Sequence, residues 1–336
     1  MGLTYSSETQ PDVADTTPVT ADTADTAVSQ VVTDVDDASE DSVVVTTDAS
    51  SAPPAPPIAD FQSWRSTQER YRPENVHYTG DALKRRLGHI RGTIRGCDFR
   101  FRHANFETPT ERVFTLRDVG LPSVLDQGEL GSCTANGMAN CIRVCEMRET
   151  GETSENVMMP SRLFVYYYSR LMEGNVDTDS GAEIRDVVKV VNKRGACNET
   201  EWPYDISQFT VEPTAECQAH AKAHRAVQYE RVEQTAEALK TAIRTGFPVV
   251  FGFVVYDSIQ RPSVGQTGIV PFPAITDKAI GGHCVILTGW DDNKRLFQFM
   301  NSWSDKWGDS GFGYLSYDYV LKEYLASDFW RITYVS

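Results

Sequence analysis

The chain has 336 residues, with 47 Asp and Glu against 32 Lys and Arg, a formal charge of −15, seven cysteines and 40% hydrophobic residues. That length allows one large or two modest domains with a core that needs no covalent staples. No apolar run approaches the length of a membrane span, and the acidic balance gives no support for a nucleic-acid ligand.

The charge is unevenly spread. Residues 1–60 are rich in Thr, Asp, Ser, Ala and Val and end in Ser51-Ala52-Pro53-Pro54-Ala55-Pro56-Pro57. Up to residue 64 there are twelve acids and no Lys, Arg or His. Such a stretch cannot bury enough apolar surface to offset its chain entropy, so a disordered acidic tail is expected. Met1-Gly2-Leu3-Thr4-Tyr5-Ser6 fits the N-myristoylation pattern at Gly2. A chance match is the preferred reading, and one acyl chain without basic neighbours would anchor only weakly. The N-terminus lacks the basic and apolar regions of a signal peptide.

Residues 61–112 are basic. Leu83, Leu87, Ile90 and Ile94 recur at helical spacing, with Lys84, Arg85, Arg86 and Arg91 on other faces, which predicts a helix within Ala82 to Arg95.

Next comes Asp126-Gln127-Gly128-Glu129-Leu130-Gly131-Ser132-Cys133, followed by Ala135, Met138, Ala139, Ile142 and Cys145 along one helical face. Ser132 suits the N-cap, Arg148 the last turn and Gly151 the stop, so Cys133 belongs in the first turn of a long helix. Unpaired N–H groups and the dipole stabilise a thiolate there. A second helix is expected after Pro160-Ser161, with Leu163, Phe164, Tyr167, Tyr168 and Leu171 as its apolar side. Ser180 and Glu183 read as a capping box for a third, from Ile184 to about Arg194, closed by Gly195. A fourth spans about Ala236 to Arg244.

Strands then dominate: 248–255 as a buried run, then 281–291, 295–303, 311–317 and 327–334. A helical first half and a β-rich second half imply an α+β fold in two lobes. A cleft between them would join helix-borne Cys133 to strand-borne His283 and Asn301.

Those residues supply what cysteine-based acyl transfer needs. His283 can take the thiol proton and return it to a leaving amine. Asn301 can hold the imidazole in one orientation, and Gln127 can donate its amide to a developing oxyanion beside the Cys133 N–H.

On the block at Asp126-Gln127, the block Gly281-Gly282-His283-Cys284-Val285-Ile286-Leu287-Thr288-Gly289-Trp290 and the block Phe299-Met300-Asn301-Ser302-Trp303-Ser304-Asp305-Lys306-Trp307-Gly308, from about Leu116 through Trp330, the sequence resembles the papain-like cysteine peptidases of the cathepsin type. His283 lies 150 positions after Cys133 and Asn301 another 18 on, as in that family. The resemblance implies a papain-like two-lobe fold over 113–336 and a cysteine endopeptidase acting on protein or peptide substrates. Its catalytic set would be Cys133, His283, Asn301 and Gln127, with no metal and no organic cofactor. An exopeptidase, an acyl-transferase on the same fold and an inactive binding module are the alternatives. The resemblance also places Ser180, Gly181 and Ala182 on a substrate-pairing strip, with Gly282 beside it. Ser327 would lie near the base of the pocket for the second residue before the cut. Side chains alternate along a strand, so either Ser327 points inward, the preferred reading, and a medium apolar residue is favoured, or Asp328 does and a basic one competes. Trp303 would cover the His283–Asn301 pair, and Trp307 would either pack behind it or line the leaving-group side.

Within the same comparison, 61–112 is either a prosegment or an extension packed permanently on the enzyme. Two positions depart from the family: Leu130 stands where a disulfide-forming cysteine is usual, and Thr134 where an aromatic is. The missing disulfide partner favours a reducing, intracellular compartment. Cys141 and Cys145, four apart, read as helix packing rather than metal ligands; for Cys197 and Cys217, pairing is left open.

Overall fold

The structure, a computed structural model, describes residues 87–335. The proposed tail, Gly2 and residues 61–86 lie outside the described residues. In chain order the elements are β1 His89–Ile90, β2 Val113–Thr115, α1 Cys133–Thr150, α2 Arg162–Glu173, β3 Ala182–Glu183, α3 Ile184–Lys193, α4 Ala215–His220, β4 Ala226–Arg231 and α5 Ala236–Arg244. They continue with β5 Val249–Tyr256, α6 Pro262–Thr267, β6 Ala279–Asp291, β7 Leu296–Met300, β8 Phe312–Ser316, α7 Tyr317–Val320 and β9 Ala326–Val335. An α+β architecture results.

The main sheet has strand order β4-β9-β5-β6-β7-β8, all antiparallel, with β2 added to the far end of β6. Alternation along its strands divides the interior in two. Val249, Phe251, Phe253 and Val255 of β5, with Val285 and Leu287 of β6, face a core that includes Leu239 and Ile243 of α5. Val250, Cys284 and Ile286 face the opposite core, built with α1, α2 and α3. Helix α1 is buried on nearly every side from Cys133 to Cys145, as a central helix must be. Gly151, at φ +73°, stops it.

Local signals place most boundaries. Ser161 accepts the Phe164 N–H at the start of α2, and Thr235 accepts the Ala238 N–H at the start of α5. Other expectations are corrected. The Ser180–Glu183 capping box does not form: the Ser180 hydroxyl points to the Gly181 carbonyl, and Glu183 itself sits at the N-cap of α3. Leu171 is exposed rather than part of the apolar side of α2. The described part of the basic run, from Leu87 onward, is extended and not helical. Its backbone is satisfied across the fold, the Gly88 carbonyl accepting from the Ala182 N–H at 2.8 Å. Strand β4 was not legible, because its Arg225–Arg231 stretch lacks a run of β-formers.

Strand β9 contains an irregularity that matters below. Ala326 and Phe329 both face the α5-side core although three residues apart. An extra residue is inserted between them: Asp328 has φ +60°, and the β5–β9 register shifts between Val250 and Gly252.

The loop after α2 is pinned by a buried cation. Arg170 donates to the carbonyls of Val176 (2.6 Å), Thr178 (2.9 Å) and Phe209, and lies 4.2 Å over the Tyr166 ring. Arg170→Met keeps the volume but leaves those carbonyls unpaired. It should destabilise the fold by roughly 3 kcal/mol, the scale for breaking a buried charged contact, read as a drop in denaturation midpoint at unchanged m-value.

Candidate active site

The helix start and the β-rich lobe are joined by backbone. The Gln127 N–H donates to the Ser302 carbonyl (2.9 Å) and the Ser304 N–H to that of Leu125 (3.1 Å), with a bridge between Asp126 and Trp303. The chain entering α1 thus runs beside the chain leaving β7, which carries Asn301.

His283 lies on β6 and is fully buried. Its Nε2 is 2.8 Å from Asn301 Oδ1, which also accepts the Ser302 N–H at 2.8 Å. An oxygen can only accept, so Nε2 carries the hydrogen and Nδ1 is the nitrogen that can exchange a proton. Trp303 stacks on the imidazole with ring centroids 4.5 Å apart, Phe253 meets it edge-on at 5.8 Å, and Trp307 meets Trp303 edge-on at 5.3 Å. The ring is clamped and water is kept from the His283–Asn301 bond.

Gln127 is fully buried; its Oε1 accepts from the Ser302 hydroxyl (2.7 Å) and its Nε2 donates to the Leu130 carbonyl (2.9 Å). Its amide is therefore locked in one orientation. Ser132 is the N-cap residue of α1, but its hydroxyl pairs with the Tyr204 hydroxyl instead of a helix N–H.

Residues the sequence reading missed hold this loop in place. Arg162 binds Glu199 through two nitrogens (2.9 and 2.7 Å), donates to Asn136 Oδ1 and the Asp126 carbonyl (both 3.0 Å), and stacks 3.7 Å over Tyr204. Asp179 accepts the Gly131 N–H (3.0 Å) and the Tyr166 hydroxyl (2.5 Å). The only signal for Asp179 was its place in the acidic run before Ser180-Gly181; Arg162 and Tyr204 gave none.

The cleft beside Cys133 is filled by the chain's own residues Leu87 to Gly92. β1 pairs in parallel with β3, His89 opposite Ala182 and Ile90 opposite Glu183. Glycines make the space. A Cβ on Gly88 would stand 1.7 Å from the Gly131 carbonyl oxygen, one on Gly181 2.3 Å from that of Gly88, and one on Gly282 2.3 Å from that of His89. Gly252 leaves room for the His89 ring, which a Cβ there would meet at 2.0 Å.

Beyond the ring lies Asp328. Its carboxylate is 3.5 Å from His89 Nε2, 3.4 Å from Arg231, and accepts the Gly92 N–H at 2.8 Å. Burial opposes that charge, but the His89 ring, the Gly92 N–H and Arg231 outweigh it and hold the carboxyl below the usual carboxylate range. The inserted residue breaks strand alternation, and the Asp328 carboxylate faces His89. Ser327 lies beside it, its hydroxyl 3.5 Å from Asp328 Oδ2.

Cys133 is fully buried beneath this segment. Burial pushes its thiol up to about 11, although the backbone N–H groups of Cys284, Gly88 and Thr134 lower it. The expected thiolate is thus not favoured while the cleft is covered; lost hydration outweighs the helix terminus.

Among the described residues, no helix is long and apolar enough to cross a membrane. The structure is similar to xylellain, a cysteine protease from Xylella fastidiosa, with 33% identity and a TM-score of 0.67 over 77% of this chain and all of that one. It shares the fold of a digestive procathepsin L from the Tenebrio molitor larval midgut at 17% identity and a TM-score of 0.56, over 71% and 75% of the two chains. In sequence it is 43% identical to an uncharacterized peptidase C1-like protein of Acanthamoeba polyphaga mimivirus, over 67% of this chain and 75% of the relative. The profile of the papain family of cysteine proteases matches residues 111–325, and the chain belongs to that family.

Proposed function

We propose that this cysteine peptidase is an endopeptidase whose acyl-enzyme forms on Cys133 and whose cleft is held shut by its own Leu87–Gly92 segment. The observation that supports the proposal is the joint of the two chain segments. The Asp126–Trp303 bridge and the Gln127–Ser302 bond set the loop before Cys133 beside Asn301, the partner of His283, and the Cys284 and Gly88 N–H groups reach the Cys133 sulfur. In the open enzyme the thiol proton passes to His283 Nδ1 and the thiolate adds to the scissile carbonyl carbon. The oxyanion is held by the Cys133 N–H and the Gln127 amide. The C–N bond breaks as His283 returns the proton to the amine, and water then hydrolyses the thioester.

The direction of the covering strand supports inhibition over turnover. Residues on the acyl side of a scissile bond precede the carbonyl under attack. Here Gly88 lies at Cys133, and the residues along the Ala182–Glu183 strip follow it. With that strip read as the acyl-side platform, the segment threads the cleft in reverse and presents no carbonyl correctly. A carbonyl-to-N–H pairing with a glycine-rich strip is indifferent to side chains, so an extended peptide substrate can take the same place.

A side chain at Gly88 cannot coexist with the Gly131 carbonyl, which is fixed at the start of α1. Gly88→Val in the full chain should expel the segment, raise peptidase activity, and bring alkylation of Cys133 down from the pH range near its covered value of about 11. Equal activity and an unchanged labelling profile in the two proteins would show that the segment does not inhibit.

In that open background Cys133→Ala should abolish turnover with the fold intact. Gln127→Ala should lower kcat by about two to three orders of magnitude, the usual loss of one oxyanion donor. Near-normal turnover in either variant refutes the assigned role.

The Asp328 carboxylate should favour a basic side chain at the second residue before the cut, by attraction in a poorly hydrated pocket. Matched Arg and Leu substrates compared by kcat/KM test this. Asp328→Asn should shift preference toward Leu, and an unchanged ratio would exclude the carboxylate from selection.

A further inference from the structure

Away from the cleft, where the loop after α3 meets α4, Cys197, Glu201 and Cys217 bring two sulfurs and a carboxylate oxygen within 4.8 Å of one another. His220, three residues after Cys217 on the same helix, places Nδ1 3.2 Å from the Glu201 carboxylate. We propose that Cys197, Cys217, Glu201 and His220 form a binding site for a thiophilic divalent cation of the zinc type.

Two thiolates, an imidazole and a carboxylate match the donor set and coordination number that zinc takes in structural sites. Bonds of about 2.0 Å to N or O and 2.3 Å to S set tetrahedral edges of roughly 3.3 to 3.8 Å. The His220–Glu201 separation already lies close to such an edge. Glu201 and His220 are the exposed members, so they are the side chains that would move onto an ion held at the two buried sulfurs.

The backbone on both sides is prepared. The Cys197 carbonyl accepts the Ser161 N–H (2.8 Å), and Glu199 and Trp202 are tied to Met159 and Asn198. Cys217 sits in the first turn of α4, where Thr214 caps its N–H (3.3 Å) and the Thr214 hydroxyl donates to its sulfur (3.1 Å). A hydroxyl on the sulfur is an outer contact of the kind that orients ligands in metal sites. Both sulfurs are buried in a small apolar cluster with Phe164, Tyr167 and Tyr168, while Glu201 and His220 open to solvent and give an entry path.

Nothing in the peptidase chemistry uses these groups. Without a cation the Cys197 sulfur is a protonated thiol: burial, and then the neighbouring Cys217, push it up to about 12. Binding exchanges the two S–H protons for two metal–sulfur bonds and releases two protons to solvent, with no change of oxidation state. The loop so fixed also carries Glu199, the partner of Arg162, so the ion would brace the approach to α1.

The test uses the full-length Cys133→Ala protein, reduced, stripped of metal and titrated with Co2+ under argon. One equivalent should give a sulfur-to-cobalt charge-transfer band and the visible bands of a tetrahedral ion, and Zn2+ should displace it and raise Tm. His220→Ala and Glu201→Gln, both at the surface, should keep the fold but each lower affinity by more than about tenfold, since even outer-shell losses cost that much. Cys197→Ser with Cys217→Ser should abolish the charge-transfer band. Absence of a one-to-one band, a band unchanged in the His220 and Glu201 variants, or a Cys197–Cys217 disulfide as the form that resists mild reduction would each overturn the site.

Discussion

The short backbone ladder between residues 125–127 and 302–304 is the constraint on which the rest depends. A thiol on a helix and an imidazole on a strand come from opposite lobes, and their alignment is only as good as the joint between them. Main-chain hydrogen bonds give that joint a fixed register that side-chain packing alone would leave adjustable. Arg162 closes it from the side. By binding Glu199, Asn136 and the Asp126 carbonyl together, one buried guanidinium ties α2 to the loop before α1 and to the first turn of α1 itself. A fork of fixed donors suits that task; a lysine would reach only part of it.

On the other side of the joint, the imidazole is held by a division of labour. Asn301 sets the tautomer, while Trp303 and Phe253 prevent the ring from turning. A neutral amide partner orients His283 without adding a negative charge, which leaves the nearby Asp179 as a carboxylate that acts on Cys133, raising its pKa. In the covered state that effect is small beside burial. Helix position and N–H donors favour a thiolate, yet a sulfur with no access to water stays protonated. Reactivity is therefore coupled to the position of Leu87–Gly92, and the glycines at 88, 181, 252 and 282 let that segment lie close enough to exclude water.

The same occupied cleft outlines the pocket it fills. The His89 ring shows that an imidazole-sized group fits over Gly252 and Gly282 with Asp328 at its end, and against the cost of burial His89, the Gly92 N–H and Arg231 hold that carboxyl below the usual range. The inserted residue in β9 turns this acid inward, so a local defect in strand alternation decides what the pocket presents.

Much of the molecule was legible in the sequence because its signals are local. Helix stops at Gly151 and Gly195, the helix start at Pro160-Ser161, and the continuous apolar run from Val249 to Val255 are each signals carried within a few residues. The order of Gln127, Cys133, His283 and Asn301, with their flanking blocks, carried the family. What only the tertiary structure decided are choices between partners distant in the chain. Leu87 to Ile94 has helical spacing, but the open edge beside Ala182 offered its backbone better partners than its own turns. The Ser132 hydroxyl could have capped α1, and Tyr204 took it instead. Alternation lets only one of Ser327 and Asp328 point inward, and the positive φ at Asp328 breaks that rule and brings its carboxylate to His89. The cluster of Cys197, Glu201, Cys217 and His220 has no spacing that announces it, because α4 and the loop after α3 meet only once the fold has brought them together.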